Sequence, residues 1–311
     1  MNRFFGQLHV YALFVLLCFI GGTTWAFQKI GLTNSLPLWS AGMRFTIAGL
    51  LISILLSIQK KYIISKELIT LSILNGLMYF AIPFGTVYWA GQYLSSGLIS
   101  ILAASISIFL LLLNKLFKGI PATTTQKIGV LLSIIGMIVV FGNQLSIKAS
   151  LIEGTAMSFV ILAMFGSAFI TIQVQQRIQD IPILTFNSFS MLSGGFVLLL
   201  SSLFLEHGNR TFSGISLVAL LYLAIVGSVL GLWINMYLLK SWHISRATMH
   251  LFVSPVLALY VGFVFLGELL SQNIYIGTVF ILTGVFLINR KKQEGGSSHV
   301  QTQTSGYHMS K

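Results

Sequence analysis

The chain is a succession of long apolar stretches with short polar segments between them, and few folds accept such a pattern. Crossing a bilayer as a helix takes roughly 20 mostly apolar residues, because every backbone N–H and C=O must find its partner inside the segment. Ten segments meet that requirement: 9–28, 37–58, 68–89, 94–114, 126–142, 152–174, 183–205, 215–239, 245–266 and 272–289. Only 8% of the 311 residues are charged, against about 25% in a soluble domain. The sequence therefore predicts an all-α membrane protein of ten transmembrane helices.

The net charge of +12 could suggest a nucleic-acid partner, but Lys and Arg sit in short clusters between apolar segments, not on an amphipathic or aromatic-interleaved face. No nucleic acid is expected. Cytoplasmic loops are enriched in Lys and Arg, and placing the N-terminus inside puts fourteen of the eighteen basic residues on the cytoplasmic side, with only Lys29, Lys148 and Arg210 opposite and Arg44 within the second span. Both termini are thus expected in the cytoplasm. The alternative for the first span, a cleavable signal peptide around Val10 to Ile20, would leave nine spans and break that alternation. Residues 291–311 read as a disordered cytoplasmic tail. The lack of a long transit segment favours a bacterial inner (plasma) membrane over an organelle.

Shifting the sequence by 148 residues lays one half on the other. Ser107 falls on Pro255, Gly119 on Gly267, Ile120 on Glu268, Gly129 on Gly277 and Gly136 on Gly284. The organisation expected is one five-helix repeat over 1–143 and a second over 151–290. Five spans is an odd number, so the second repeat enters the membrane from the opposite side. Inverted repeats of this kind build many secondary transporters, with the substrate site near the midplane where the halves meet.

The segment ISRATMHLFVSPVLALYVGFVFLGELLSQNIYIGTVFILTGVFL resembles the end of an EamA domain of the drug/metabolite transporter (DMT) superfamily, in which a mid-helix Pro, a Leu-Gly-Glu turn and a Gly-X6-Gly helix recur. LPLWSAGMRFTIAGLLI resembles the second helix of the first repeat, with Arg44, Phe45 and Ala48 as its Arg-Phe and Ala. The likeness runs over about residues 10 to 290. The first repeat departs from it in having Ser107 and Ile120 for the Pro and Glu, and Gly21-Gly22, with Trp25 further on, for a Trp-Gly. The resemblance implies a transporter of small organic metabolites, amino acids or related compounds among them.

Pro255 removes a hydrogen bond inside the ninth span and is read as a kink and hinge at a central cavity, with Ser107 its counterpart. A proline near a helix end is the other reading. Glu268 follows Gly267 just ahead of the last helix, where a carboxylate caps orphan N–H groups. The other five acids, Glu67, Glu153, Asp180, Glu206 and Glu294, fall at helix ends, in loops or in the tail. Proton-coupled efflux of cations needs an intramembrane carboxylate, so that mechanism is disfavoured. Lys29 is expected to snorkel or to contact substrate. Arg44 is read as a structural partner of a carbonyl or helix end. His250 is the substrate-binding candidate of the ninth span, against a role as a satisfied core histidine. Asn75 and Tyr79, one helical turn apart, and Trp233 and Asn235 in the eighth span suit a cavity for an amphipathic metabolite. Tyr88, Trp89 and Trp242 are assigned to the interfacial aromatic belt, and Gly227 with Gly231 to close helix packing.

Cys18 is the sole cysteine, which leaves no intramolecular disulfide. The histidines are scattered and neither HExxH nor GxSxG occurs, so an intramembrane enzyme lacks its machinery, and no cofactor or metal is expected. A non-transporting membrane scaffold is the remaining alternative, and the sequence does not distinguish a monomer from a homodimer. The partners expected are a small-molecule metabolite and the lipid bilayer.

Overall fold

The computed structural model describes residues 2–60, 64–119, 123–144, 151–175, 177, 182–241, 250–268 and 271–289. Among these no strand occurs. The helices are α1 (Asn2–Gly31), α2 (Pro37–Ile58), α3 (Lys66–Ala90), α4 (Ser96–Phe117), α5 (Thr124–Gln144), α6 (Leu151–Gln175), α7 (Ile183–Leu205), α8 (Gly214–Leu238), α9 (His250–Leu266) and α10 (Gln272–Asn289). Seven of them, α1 to α4 and α6 to α8, are long and apolar enough to cross a bilayer, and shorter apolar helices lie within α5, α9 and α10. The expected tail 291–311 and the first residues of the ninth span, 245–249, lie outside the described residues.

The helix ends carry the signals that lipid-embedded helices require. Pro37 opens α2, where its missing N–H costs nothing. The Ser65 and Ser95 side chains accept from the N–H groups of Leu68 and Leu98 to start α3 and α4. Gly119 and Gly267, aligned by the repeat, both take the left-handed conformation, with φ of 62° and 64°, as a helix-stopping glycine does.

The packing is close. The strongest pairs are α5 with α10, α2 with α7, and α1 with α9; α4 packs on α6 and α9, and α3 on α6 and α7. Two large apolar cores stand out among the clusters that result. One gathers α3, α4, α6, α9 and α10 around Leu102, Met157 and Ile281. The other gathers α2, α3, α7 and α8 around Phe45, Tyr88 and Leu223. Large apolar side chains such as Phe204, at 79% exposure, and Leu116 and Phe265, at 74%, point outward. Hydrocarbon is the solvent that accepts such a surface.

Glycine sets the approach of α5 to α10. A Cβ on Gly129 would meet the Gly284 carbonyl, and one on Gly136 would meet the Gly277 carbonyl at 2.6 Å. Gly284→Leu should therefore separate the pair, at a cost of about 1–3 kcal/mol by overpacking. A lowered melting temperature for the detergent-solubilised protein is the expected result. Gly154→Ala, where nothing lies within 4 Å, should leave it unchanged.

Candidate functional site

A cavity of about 610 Å³ runs through the middle of the bundle, a size suited to a small organic ligand. Every helix except α5 contributes to its lining. Six residues singled out from the sequence meet in it: Arg44 of α2, Asn75 and Tyr79 of α3, Ser107 of α4, Asn235 of α8 and His250 of α9, with Pro255 beside them. Trp233 does not. It is 50% exposed and stacks on Tyr237, ring centroids 5.8 Å apart, on the outer face of α8.

The local backbone explains both outcomes. α3 widens to a π-helix over Gly76–Ala81, and α8 does so over Tyr222–Leu230. A π segment places an extra residue in the turn and rotates the helix beyond it. In α3 it turns Tyr79 and Phe80 onto the cavity, with their rings 5.2 Å apart edge to face. In α8 it brings Gly227 and Ser228 to the cavity; beyond it Asn235 also faces the cavity, and Trp233, two residues away and so on the opposite face of the helix, faces out.

Arg44 departs from the role expected for it. Among the described residues its hydrogen bonds go to hydroxyls and not to a carbonyl or a helix end. Nε donates to the Ser228 hydroxyl at 3.1 Å and Nη1 to the Tyr88 hydroxyl at 3.4 Å. The guanidinium lies against the rings of Phe45 and Phe84, at 5.1 and 5.4 Å. Tyr88, assigned to the interfacial belt, is instead fully buried.

One end of the bundle is tied by two carboxylates. Glu268 caps a helix, but not the last one: its oxygens accept from the Ser96 N–H at 2.9 and 3.1 Å and from the Ser96 hydroxyl at 2.8 Å, at the start of α4. The left-handed Gly267 turns the chain back so that the Glu268 N–H reaches the Gly262 carbonyl at 3.1 Å. Lys29 completes the junction. Its Nζ lies 3.0 Å from Glu268 Oε1 and donates to the Leu94 carbonyl at 3.2 Å, so it serves this end and not the cavity. Glu206, at the end of α7, plays the same part for α2, accepting from the N–H groups of Leu38 at 2.7 Å and Trp39 at 3.1 Å. Burial pushes the Glu268 carboxyl up, but the hydrogen bonds from the Ser96 N–H, Lys29 and the Ser96 hydroxyl, with the Lys29 charge, together hold it below the usual carboxylate range.

Pro255 lies inside α9 and is buried. Its counterpart region bends without proline: α4 is interrupted between Ala103 and Ile106, just before Ser107. One face of α1 escaped the sequence reasoning. Gly21, Thr24, Trp25 and Gln28 line the cavity at the spacing of a single helical face, and that spacing of small and polar residues is the signal that marks them. The Gly21-Gly22 pair also has a packing reason, since a Cβ there would strike Ser254 or Leu257 of α9.

Comparison with known proteins adds to this geometry. Residues 9–142 and 154–290 each match the EamA-like transporter family. The chain is 28% identical to the uncharacterized inner membrane transporter YedA of Escherichia coli (strain K12), over 93% of this chain and 94% of that one. It is 27% identical to the uncharacterized transporter YoaV of Bacillus subtilis, covering 86% and 92%, and 25% identical to the protein PagO of Salmonella typhimurium, covering 90% and 93%. A solved crystal structure shares the fold at a TM-score of 0.61 and 15% identity, over 88% of this chain and 97% of its own.

The Glu268 junction has a pH signature. Stability supplied by a carboxylate held below its ordinary range is complete above that range and is lost as pH falls through the lowered value. The wild-type melting temperature should fall on acidification through that window. Glu268→Gln should start lower at neutral pH, with the two curves converging in acid. Parallel curves across the window would remove the role assigned to the junction.

Proposed function

The chain belongs to the EamA-like transporter family and is a membrane transporter, and we propose that it carries small organic metabolites across the inner membrane by alternating access between two inverted five-helix halves. The observation that carries this reading is the asymmetry of the cavity. At one end its lining extends to Val174 and Ile183, in the last turn of α6 and at the first residue of α7. At the other it stops at Gln28 and Ser100, short of the helix ends joined by Glu206 and Glu268. A cavity closed at one end and reaching the other is one of the two states that alternating access requires.

The pairing of helices supports the two-half arrangement. Exchanging α1 with α6, α2 with α7, α3 with α8, α4 with α9 and α5 with α10 turns each of the main contacts into another that is present: α1–α9 into α6–α4, and α3–α7 into α8–α2. α5–α10 maps onto itself, and its glycines behave as a two-fold contact should: Gly129 faces Gly284 and Gly136 faces Gly277, each the repeat image of the other. The repeat offset also carries the π-helix Gly76–Ala81 into Tyr222–Leu230. With both termini cytoplasmic, as the basic residues favour, the carboxylate-tied end faces outward and the cavity reaches toward the cytoplasm.

Purified protein in liposomes should give saturable uptake of a metabolite from a broad panel, and none in protein-free vesicles. Absence of flux from folded protein would return the chain to the scaffold reading. Pro255→Ala should slow that flux several-fold with little change in melting temperature, because the stiffened α9 bends less readily between states. Wild-type flux in this variant would make Pro255 a packing residue. A cysteine added at Lys311 in a Cys18→Ala background should react only with membrane-permeant maleimide in intact cells.

A further inference from the structure

We propose that Arg44 is the anchor for a negatively charged group, so that the cavity selects amphipathic organic carboxylates. This inference rests on the transport reading above and names its substrate class. Arg44 is 4% exposed and stands seven residues into α2, about 10 Å from the helix start at 1.5 Å per residue. A guanidinium keeps its charge in every protein setting. A charge at that depth is costly unless something of opposite sign meets it.

The protein does not supply that partner among the described residues. No Asp or Glu lines the cavity. Glu67 and Glu153 occupy the first turns of α3 and α6, and Glu206 and Glu268 are spent as caps on α2 and α4. What Arg44 has is two neutral hydroxyls, Ser228 and Tyr88, which take one N–H each from Nε and Nη1. Of the five donors on the guanidinium, the rest have no described acceptor, including both on Nη2. The space beside Nη2 is kept clear by Gly227, where even a Cβ would lie 3.5 Å from that nitrogen. Gly227 and Ser228 belong to the π segment of α8, so the widened turn both holds Nε and leaves the space beside Nη2 open to the cavity.

A guanidinium with N–H groups left over on Nη1 and Nη2 is matched by a carboxylate, whose two oxygens can accept from both nitrogens. Phe45 and Phe84 hold the plane from the sides, so little ordering remains to be done when the anion arrives. The rest of the lining sets the remainder of the ligand: Trp25, Phe80, Met191 and Leu232 are apolar or aromatic, and Asn75 and Asn235 are neutral amides. Such a wall accepts an aryl or alkyl body and offers no countercharge to a cation.

The test uses the full chain in liposomes and a panel of amino acids, arylacetic acids and short alkyl carboxylic acids, each paired with its primary amide. Wild-type protein should move at least one acid tenfold or more faster than its amide. Arg44→Gln should abolish that preference, and Arg44→Lys should keep part of it. Should Arg44→Gln not fold, Gly227→Leu, which fills the space beside Nη2 and leaves the charge, should lose acid uptake with the protein intact. Amides moving as fast as acids, or a preference that survives Arg44→Gln or Gly227→Leu, overturns the assignment of Arg44 while transport stands. No saturable flux for any pair overturns both.

Discussion

The arrangement depends on how buried helix beginnings are satisfied. The first N–H groups of a helix have no partner within it, and at the membrane there is too little water to serve them. Here two carboxylates do so from across the bundle. Glu206 takes the N–H groups of Leu38 and Trp39, just behind the proline that opens α2, and Glu268 takes that of Ser96 at the start of α4. Each acid stands at the end of a helix from the later part of the chain and serves one from the earlier part. Lys29 offsets the burial of Glu268 and brings α1 into the same junction. These acids are therefore withdrawn from the cavity and concentrated where helices begin, and Arg44 is left as the permanent charge on its lining.

Much of this was legible beforehand because lipid imposes one requirement on every span. Length and apolarity located ten segments, and seven are helical over a spanning length. The ninth segment is described only from His250 onward, which accounts for the shortness of α9 beside the span expected from 245. Gly119 and Gly267 were recognisable as a shared turn because only glycine takes a left-handed stop without strain, and both have positive φ. Arg44, Asn75, Tyr79, Asn235 and His250 stood out as polar groups inside apolar spans, and all five reach one cavity.

What escaped the sequence depended on rotation about a helix axis or on partners distant in the chain. Trp233 and Asn235 were grouped by their place in one span, whereas residues two apart lie on opposite faces of a helix and only Asn235 reaches the cavity. Nothing in YLAIVGSVL announces a π turn. The helix that Glu268 caps begins 172 residues earlier in the chain, and a carboxylate after a glycine stop is equally compatible with the helix that comes after it. Tyr88 next to Trp89 read as an interfacial pair, yet the two differ: Tyr88 is buried against α2 and α7, and Trp89 lies against Tyr93 and Phe159.

The two halves diverge at the positions where a strictly symmetric carrier would need them alike. α9 has a proline within a continuous helix, whereas α4 breaks between Ala103 and Ile106 with no proline at all. Gly267 is followed by the capping Glu268, whereas Gly119 is followed by Ile120, which has no oxygen to offer a helix start. In an inverted-repeat carrier the two access states correspond to an exchange of conformations between the halves. Were the halves identical, the states would be equal in energy without substrate. On the proposed mechanism, a carboxylate at 268 and an isoleucine at the aligned position 120 make them unequal, favouring at rest the state that keeps the Glu268 junction closed. On that reading, the difference between a glutamate and an isoleucine at one aligned position biases which side of the membrane the empty cavity faces.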